Sequence, residues 1–155
     1  MISIEEPFHK YKDAVYRLAL SYTRSTADAE DVCQSVFLKM MEQNHIAPGK
    51  EKAWLLQTAA NTCRNLLRSS WWRKNTPLDE SIPADISPEY ADVYQAVMAL
   101  EPKYRVVIYL RYYEECSTKE IAHLLHITQT SVTTRLSRGR QMLKNTLKDE
   151  YLSRI

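Results

Sequence analysis

The chain has 155 residues and a formal net charge of +2, so it is long enough for one ordinary domain or two small helical ones. With only two glycines, it cannot build the glycine-rich phosphate loops of Walker or Rossmann nucleotide-binding enzymes. Three widely spaced cysteines, no apolar leader and no uncharged apolar stretch long enough to cross a membrane predict a reduced, soluble, cytoplasmic protein.

The first 70 residues carry the apolar periodicity of three amphipathic helices. The first helix is predicted over Glu6–Thr23. The second follows Ser25, a capping hydroxyl with an acid three residues later, and extends to about Gln43. After the turn signal Pro48-Gly49, a third helix is predicted over residues 51–70. This part of the chain is therefore predicted to be a small helical bundle.

A proline-rich, acidic segment separates these helices from the rest of the chain. Residues 75–88 contain three prolines and no sustained apolar period, which is typical of a linker. Two further helices are predicted after it, over Glu89–Leu100 and Lys103–Tyr113. The predicted fold class is therefore all-α, with two small helical domains joined by a short linker.

The last part of the chain has the pattern of a helix-turn-helix, which is a short helix, a tight turn and a longer helix. Ser117 or Thr118 is predicted to cap the short helix, and Thr128 to cap a basic helix that extends to about Lys148. The second helix would present an acid-free outer face of hydroxyl groups, one amide and one arginine: Gln129, Thr130, Thr133, Thr134, Ser137 and Arg138. Such groups can hydrogen-bond base edges in a major groove. The cations suited to phosphates are Arg135, Arg140 and Lys144. The alternative is an ordinary helical hairpin with a polar surface.

Basic residues cluster in two acid-free segments, residues 52–78 and 128–148. Two such stripes in a nearly neutral protein indicate two places where a phosphate backbone lies. The first stripe interleaves aromatic, amide and cationic side chains: Trp54, Asn61, Arg64, Asn65, Arg68, Trp71, Trp72, Arg73 and Lys74. Aromatic rings beside cations hold unstacked single-stranded bases. The alternatives are a structural role for Trp54 and a solvated helix face for each stripe.

Several segments of the chain resemble the extracytoplasmic-function sigma factors, which are group IV of the sigma-70 family. Residues 16–22 (YRLALSY), 29–39 (AEDVCQSVFLK) and 52–68 resemble conserved region 2 of that family. Residues 103–114 (KYRVVIYLRYYE), followed by the helix-turn-helix with its RLSRGR segment at 135–140, resemble region 4. The resemblance covers nearly the whole chain in the right order and spacing.

The resemblance implies a transcription initiation factor without enzymatic activity or cofactor, which binds core RNA polymerase, recognises promoters and helps to open DNA. Region 2 would occupy residues 1–74, the linker 75–88 and region 4 89–155. The residues expected to bind the clamp helices of the largest polymerase subunit are Asp31, Gln34, Phe37 and Leu38. Those expected at the minus-ten element are Asn44, Lys50, Trp54, Asn61, Arg64 and Arg68. Region 4 would bind the minus-thirty-five element through Gln129, Thr130, Thr133, Thr134, Arg135, Ser137, Arg138 and Arg140, and its apolar surface would bind the flap of the second-largest subunit.

The family also implies an anti-sigma factor that covers the polymerase-binding faces and forms the chain's only link to a membrane. We therefore expect apolar patches near Phe37 and residues 109–113 to be partly exposed in the free protein. The sequence departs from the family at His126, a turn position often filled by glycine, where a left-handed conformation costs roughly 1 kcal/mol. Gln57 and Ala60 stand where many relatives carry arginine, so the DNA-opening face is less basic than usual.

The alternatives to this function are a metal site, an enzyme and a stand-alone DNA-binding regulator. A metal site at Cys116, His123 and His126 matches no common zinc spacing and has no fourth ligand. No nucleophile and base stand together, so an enzyme is not predicted. The serious alternative is a stand-alone helix-turn-helix regulator that does not bind polymerase. A receiver domain would need alternating strands and helices, whereas residues 1–70 predict helices alone.

Overall fold

The computed structural model describes residues 3–69 and 86–153, with side chains described as far as Lys148. The chain divides into two compact units, Met1–Asp79 and Glu80–Ile155. All regular structure in the described ranges is helical, which confirms the predicted fold class. In the same ranges, no helix is long and apolar enough to span a membrane. The predictions for Trp71, Trp72, Arg73, Lys74 and residues 75–85 of the linker lie outside the described residues.

Three helices form the first unit: α1 (Glu5–Thr23), α2 (Thr26–Met41) and α3 (Glu51–Arg68). They confirm the three predicted helices, with ends that differ by at most two residues. Ser25 caps α2 as predicted, because its hydroxyl accepts a hydrogen bond from the Asp28 N–H at 3.2 Å. Helix α1 packs against both α2 and α3.

The core of the first unit fixes the rotation of α3 about its axis. Apolar and small side chains fill this core, among them Val15 and Leu18 of α1 and Val36 and Met40 of α2, all 0% exposed. Helix α3 buries one face against them, made of Leu55, Leu56, Ala59, Ala60 and Cys63. Since one face is held inward, the opposite face of α3 is directed to solvent.

The second unit contains a 3-10 turn (Pro88–Tyr90), α4 (Ala91–Met98), α5 (Pro102–Tyr112), α6 (Thr118–Leu125) and α7 (Gln129–Ser153). The two helices predicted ahead of the helix-turn-helix are confirmed as α4 and α5, although the first begins as a 3-10 turn.

A buried arginine joins α4 to α5. Arg105 is 2% exposed, and its Nη1 donates to the carbonyl oxygens of Met98 at 3.1 Å and Leu100 at 2.9 Å. Carbonyls at the end of a helix lack partners within the helix, so the guanidinium satisfies groups that burial would otherwise leave unpaired.

The helix-turn-helix is formed by α6 and α7, and side chains cap both helices. The Ser117 hydroxyl accepts from the Glu120 N–H at 3.0 Å, and the Glu120 carboxylate accepts from the Ser117 N–H at 3.0 Å. Helix α6 ends at His126, whose φ of 57° and ψ of 43° are left-handed, as predicted. The Thr128 hydroxyl accepts from the Ser131 N–H at 3.0 Å and caps α7. The turn is therefore fixed at both of its ends.

Candidate nucleic-acid interface

The rotation of α7 decides which of its residues face solvent. Val132 and Leu136 are 0% and 2% exposed, and Gly139 lies against α5, where an added Cβ would be 3.2 Å from Ile108 Cγ1. These three positions form one inward stripe. The predicted base-reading residues lie outside this stripe, all of them exposed except the half-buried Thr134: Gln129, Thr130, Thr133, Thr134, Ser137 and Arg138. This acid-free face is accessible to a major groove, and its role in reading bases stays a prediction.

Two hydrogen bonds organise the start of this face. Gln129 Nε2 donates to Thr118 Oγ1 at 2.8 Å, which ties the N-terminal end of α7 to that of α6. The Thr133 hydroxyl donates to the Gln129 carbonyl at 3.0 Å. Because its proton is already used, Thr133 offers oxygen lone pairs and a methyl group to a ligand. Such a side chain can accept from the amino group of adenine or cytosine.

The cations predicted to bind phosphates occupy two sides of α7. Arg140 Nη1 donates to the Tyr112 hydroxyl at 2.8 Å, so this guanidinium is held against the end of α5 with other N–H donors to spare. Arg135 is half-buried and, with Arg138, lines a depression beside the start of α5. Lys144 is exposed on α7.

The outward face of α3 carries most of the residues predicted to bind minus-ten DNA. Trp54, Asn61 and Arg68 recur every seven residues, so they share one stripe of the helix. Arg64 Nη2 donates to Asn61 Oδ1, which leaves the two N–H donors of the Asn61 amide available to a ligand. Trp54 is half-buried, so it can both pack against the unit and present part of its ring.

The other two residues predicted for minus-ten DNA lie in the loop before α3. Asn44 and Lys50 are both exposed there. Gly49 has a φ of 80°, and the Lys50 N–H donates to the Ala47 carbonyl at 3.0 Å, which closes a turn. This turn leads directly into the first turn of α3, where the outward stripe begins.

The apolar patch predicted near Phe37 is partly exposed through Leu38 and Phe8, at 60% and 36%, although Phe37 itself is buried. Phe37 is 3% exposed, because the ring of Phe8 on α1 covers it edge-to-face at a centroid distance of 5.1 Å. Its sequence neighbours on α2 remain at the surface: Asp31, Gln34 and Leu38 are exposed, Leu38 at 60%. The predicted polymerase-binding surface therefore consists of these three, with Phe37 supporting them from beneath.

Phe8, which was not among the sequence-predicted site residues, belongs to the same neighbourhood. It is 36% exposed and is in contact with Phe37 across the α1–α2 packing. The sequence signal was its place at the start of the apolar stripe of α1, which by itself indicates only core packing.

The prediction of a partly exposed apolar patch at residues 109–113 is confirmed, although Leu110 within it is buried. Tyr112 and Tyr113 are 56% and 51% exposed, and the Tyr113 ring stacks on Tyr109 at 5.6 Å. The Tyr109 hydroxyl donates to Glu114 Oε1 at 2.7 Å, which fixes this pair at the end of α5. The second unit therefore presents an aromatic surface at the C-terminal end of α5.

Two of the cysteines in the described ranges, Cys33 and Cys63, have thiols whose pKa lies above its ordinary value. Burial raises the pKa of Cys63 to about 12, and burial, followed by the charge of Asp13, raises the pKa of the half-buried Cys33. Within residues 3–69 and 86–153, no group of three or more histidines, cysteines and acids is placed to hold a metal ion.

Comparisons with known proteins agree with this arrangement. The family model for Sigma-70 region 2 matches residues 8–73, and that for Sigma-70 region 4 matches residues 90–143. The chain is 31% identical to the extracytoplasmic-function RNA polymerase sigma factor SigE of Mycolicibacterium smegmatis, over 95% of this chain and 62% of that protein. It is 28% identical to SigW and 29% identical to SigM of Bacillus subtilis, over 90% and 92% of this chain and 86% and 94% of theirs.

The structure also resembles a solved sigma factor, RpoE of Bartonella quintana, crystallised in complex with the anti-sigma factor NepR. The TM-score is 0.78 at 22% identity, over 93% of this chain and 96% of that one. At this identity, the likeness supports the helical fold alone.

Proposed function

We propose, from the premise that this chain belongs to the extracytoplasmic-function sigma factors of the sigma-70 family, that it directs core RNA polymerase to specific promoters in transcription initiation. The observation that carries the proposal is that one chain presents two polar, cationic surfaces of different chemistry. The outer face of α7 suits duplex base edges, whereas the aromatic and cationic stripe of α3 suits unstacked bases. A factor that first recognises a promoter and then opens it needs both.

In this proposal region 2 spans residues 1–74, a linker 75–88 and region 4 89–155. The second domain places α7 in the major groove of the minus-thirty-five element. Gln129, Thr130, Thr133, Thr134 and Ser137 read bases, and Arg140, held by Tyr112, binds the backbone. Thr118 acts with them as a positioning residue, because it fixes the Gln129 side chain.

The first domain captures the minus-ten element. The N–H donors of Asn61 hydrogen-bond a base that has left the stack, and the exposed part of Trp54 supports its ring. Arg64, Arg68 and Lys50 bind the phosphates of the same strand. The stripe on α3 can therefore bind both parts of a single strand. Its aromatic and amide groups would contact bases, and its cations would contact phosphates.

Core polymerase binds α2 through Asp31, Gln34 and Leu38, and Phe37 keeps this surface in place. A Leu38 side chain that is 60% exposed beside acidic and amide groups fits a contact with the clamp helices of the largest subunit. The aromatic surface at Tyr112 and Tyr113 fits the flap of the second-largest subunit. Because the proposed factor acts together with RNA polymerase, we expect the protein to be in the cytoplasm.

An anti-sigma factor is the further partner that we propose. The solved RpoE structure holds such a partner, which is a property of that protein. For this chain, the support is the pair of exposed apolar surfaces at Leu38 and at Tyr112–Tyr113, which an inhibitor could cover in place of polymerase.

A stand-alone regulator is not favoured, because the first unit is the region 2 type of helical domain and contains no receiver in its described residues. The two functions differ in what the free protein does. A regulator binds duplex DNA alone, whereas the proposed factor needs core polymerase.

The polymerase contact can be tested by titrating core polymerase with the labelled chain. Leu38→Ala should weaken the complex, because an exposed apolar side chain adjacent to a partner loses its contact area. Lys39→Ala, at the neighbouring exposed position, is the matched control and should bind as the wild type does. Equal affinities for Leu38→Ala and Lys39→Ala would remove α2 from the polymerase interface.

The promoter contact can be tested with a library of minus-thirty-five sequences bound by the holoenzyme. Thr133→Val keeps the shape of the side chain but loses the oxygen acceptor, so selectivity should relax at one base pair. Thr146→Val makes the same change at an exposed position farther along α7 and should leave selectivity unchanged. Unchanged selectivity in Thr133→Val would remove Thr133 from the base-reading set.

A further inference from the structure

The hydrogen bond between Asn61 and Arg64 on α3 fixes which end of the Asn61 amide faces a ligand. The two residues are three positions apart and lie on one side of the helix. Arg64 Nη2 donates to Asn61 Oδ1. A guanidinium has N–H donors and no acceptor, so the amide can meet it only with its oxygen. The amide nitrogen of Asn61 is therefore directed away from Arg64.

Arg64 is the more firmly held member of this pair. It is half-buried, and it takes part in a further interaction besides its bond to Asn61. Asn61 is exposed, and among the described residues its side chain has no hydrogen-bond partner other than Arg64. The orientation of the amide is therefore set by Arg64.

The surface around this pair consists of hydrogen-bond donors. The amide nitrogen of Asn61 offers two N–H groups, and the adjacent guanidinium adds only donors. From Lys52 to Arg68 the helix contains no acidic residue. An asparagine that can turn freely offers a donor beside an acceptor, which is how asparagine binds adenine. Asn61 cannot do so while Arg64 holds its oxygen.

We propose that Arg64 is a positioning residue that makes Asn61 select an extruded base with a carbonyl oxygen and reject adenine. Guanine, cytosine and thymine each carry a carbonyl oxygen that can accept from the amide. Adenine carries an exocyclic amino group instead, whose hydrogens would face the N–H donors of the protein. This inference rests on the proposed function, because it names the class of base that α3 accepts from the minus-ten element.

The experiment measures binding of the holoenzyme to single-stranded oligonucleotides that span the minus-ten element of a promoter it transcribes. Each position carries adenine or hypoxanthine in turn. Hypoxanthine has the two-ring shape of adenine with a carbonyl oxygen in place of the amino group. At one position, the wild-type holoenzyme should bind the hypoxanthine strand about tenfold more tightly, which corresponds to one hydrogen bond.

Three variants of the pair test the role of Arg64. Arg64→Met keeps a long side chain but removes the donors, so Asn61 can turn and the preference for hypoxanthine should disappear. Arg64→Lys restores a group that only donates and should retain the preference. Asn61→Asp offers acceptors alone and should reverse the preference in favour of adenine. A purely structural role for Arg64 would weaken binding to both strands equally.

A similar pair on α7 supplies the matched control. Gln141 Nε2 donates to Asn145 Oδ1 at 3.0 Å, and both residues are exposed in the other unit. Gln141→Met therefore releases an asparagine in the same way, at a distance from α3 along the chain. It should leave the preference for hypoxanthine unchanged.

The outcomes separate this inference from the proposed function. If the wild-type chain forms no holoenzyme with core polymerase, both are overturned. If the holoenzyme binds the minus-ten strand but distinguishes adenine from hypoxanthine at no position, only the base selection is overturned. Full retention of the preference in Arg64→Met, or a preference for hypoxanthine in Asn61→Asp, would overturn it as well.

Discussion

Replacing His126 with glycine should stabilise the second unit. His126 ends α6 with φ 57° and ψ 43°, a left-handed conformation that costs a residue with a Cβ about 1 to 2 kcal/mol. Glycine removes this cost but gives the unfolded chain extra freedom, which offsets about 0.4 to 1 kcal/mol. The net gain in the free energy of unfolding should be about 0.5 to 1 kcal/mol, or roughly 2 to 8 °C in the melting temperature of a domain of this size.

His126→Ala is the control for this prediction, because it removes the imidazole and keeps the Cβ. It should therefore lack the gain that glycine brings. Calorimetry gives the melting temperature, and hydrogen exchange of the α6 and α7 amides shows whether the change lies in the second unit. A glycine variant that is no more stable than the alanine variant would refute the claim that backbone strain is present at this position.

Three further predictions concern stability and surface roles. Ser117→Ala should lower the free energy of unfolding by about 1 kcal/mol in urea denaturation, because it removes the hydroxyl half of the capping box; an unchanged midpoint would contradict this. Phe37→Ala should lower it by about 3 to 5 kcal/mol, since the ring is buried under Phe8, whereas Leu38→Ala should leave it nearly unchanged; similar losses in both would contradict the burial difference. The thiol of Cys63, with its pKa raised to about 12, should resist maleimide labelling at pH 8 until the protein unfolds. Below the ordinary thiol pKa of 9.0, Cys63 is neutral in both the folded and the unfolded chain. Between pH 9 and about 12 only the unfolded chain loses this proton, so the free energy of unfolding should fall across that window in an alkaline titration.

Local signals in the sequence were sufficient for the helices and their caps. Ser25 and Thr128 were identified from the spacing of hydroxyls and apolar residues, and both accept the expected backbone hydrogen bonds. The left-handed conformation of His126 was expected from the family resemblance, because relatives often carry glycine at this turn position. These features depend on residues within one or two turns of each other, which is why a linear pattern reveals them.

Features that depend on packing between helices could not be predicted from local sequence patterns. The burial of Phe37 depends on Phe8, which is 29 residues earlier, and periodicity gives only the side of α2 on which each residue lies. The bond from Arg140 to Tyr112 and the meeting of Lys103 with Arg138 depend on how α5 crosses α7. That crossing is set by the close approach at Gly139, for which the sequence offered only a glycine inside a helix.

Run-off transcription by core polymerase supplemented with this chain, across a library of promoters, tests the central claim most directly. The account predicts a stable complex with core and promoter-specific transcripts that weaken in Asn61→Ala, whereas Asn145→Ala, an exposed asparagine on α7, transcribes as the wild type does. No complex with core, together with tight duplex binding by the chain alone, would contradict the account and leave a stand-alone helix-turn-helix regulator.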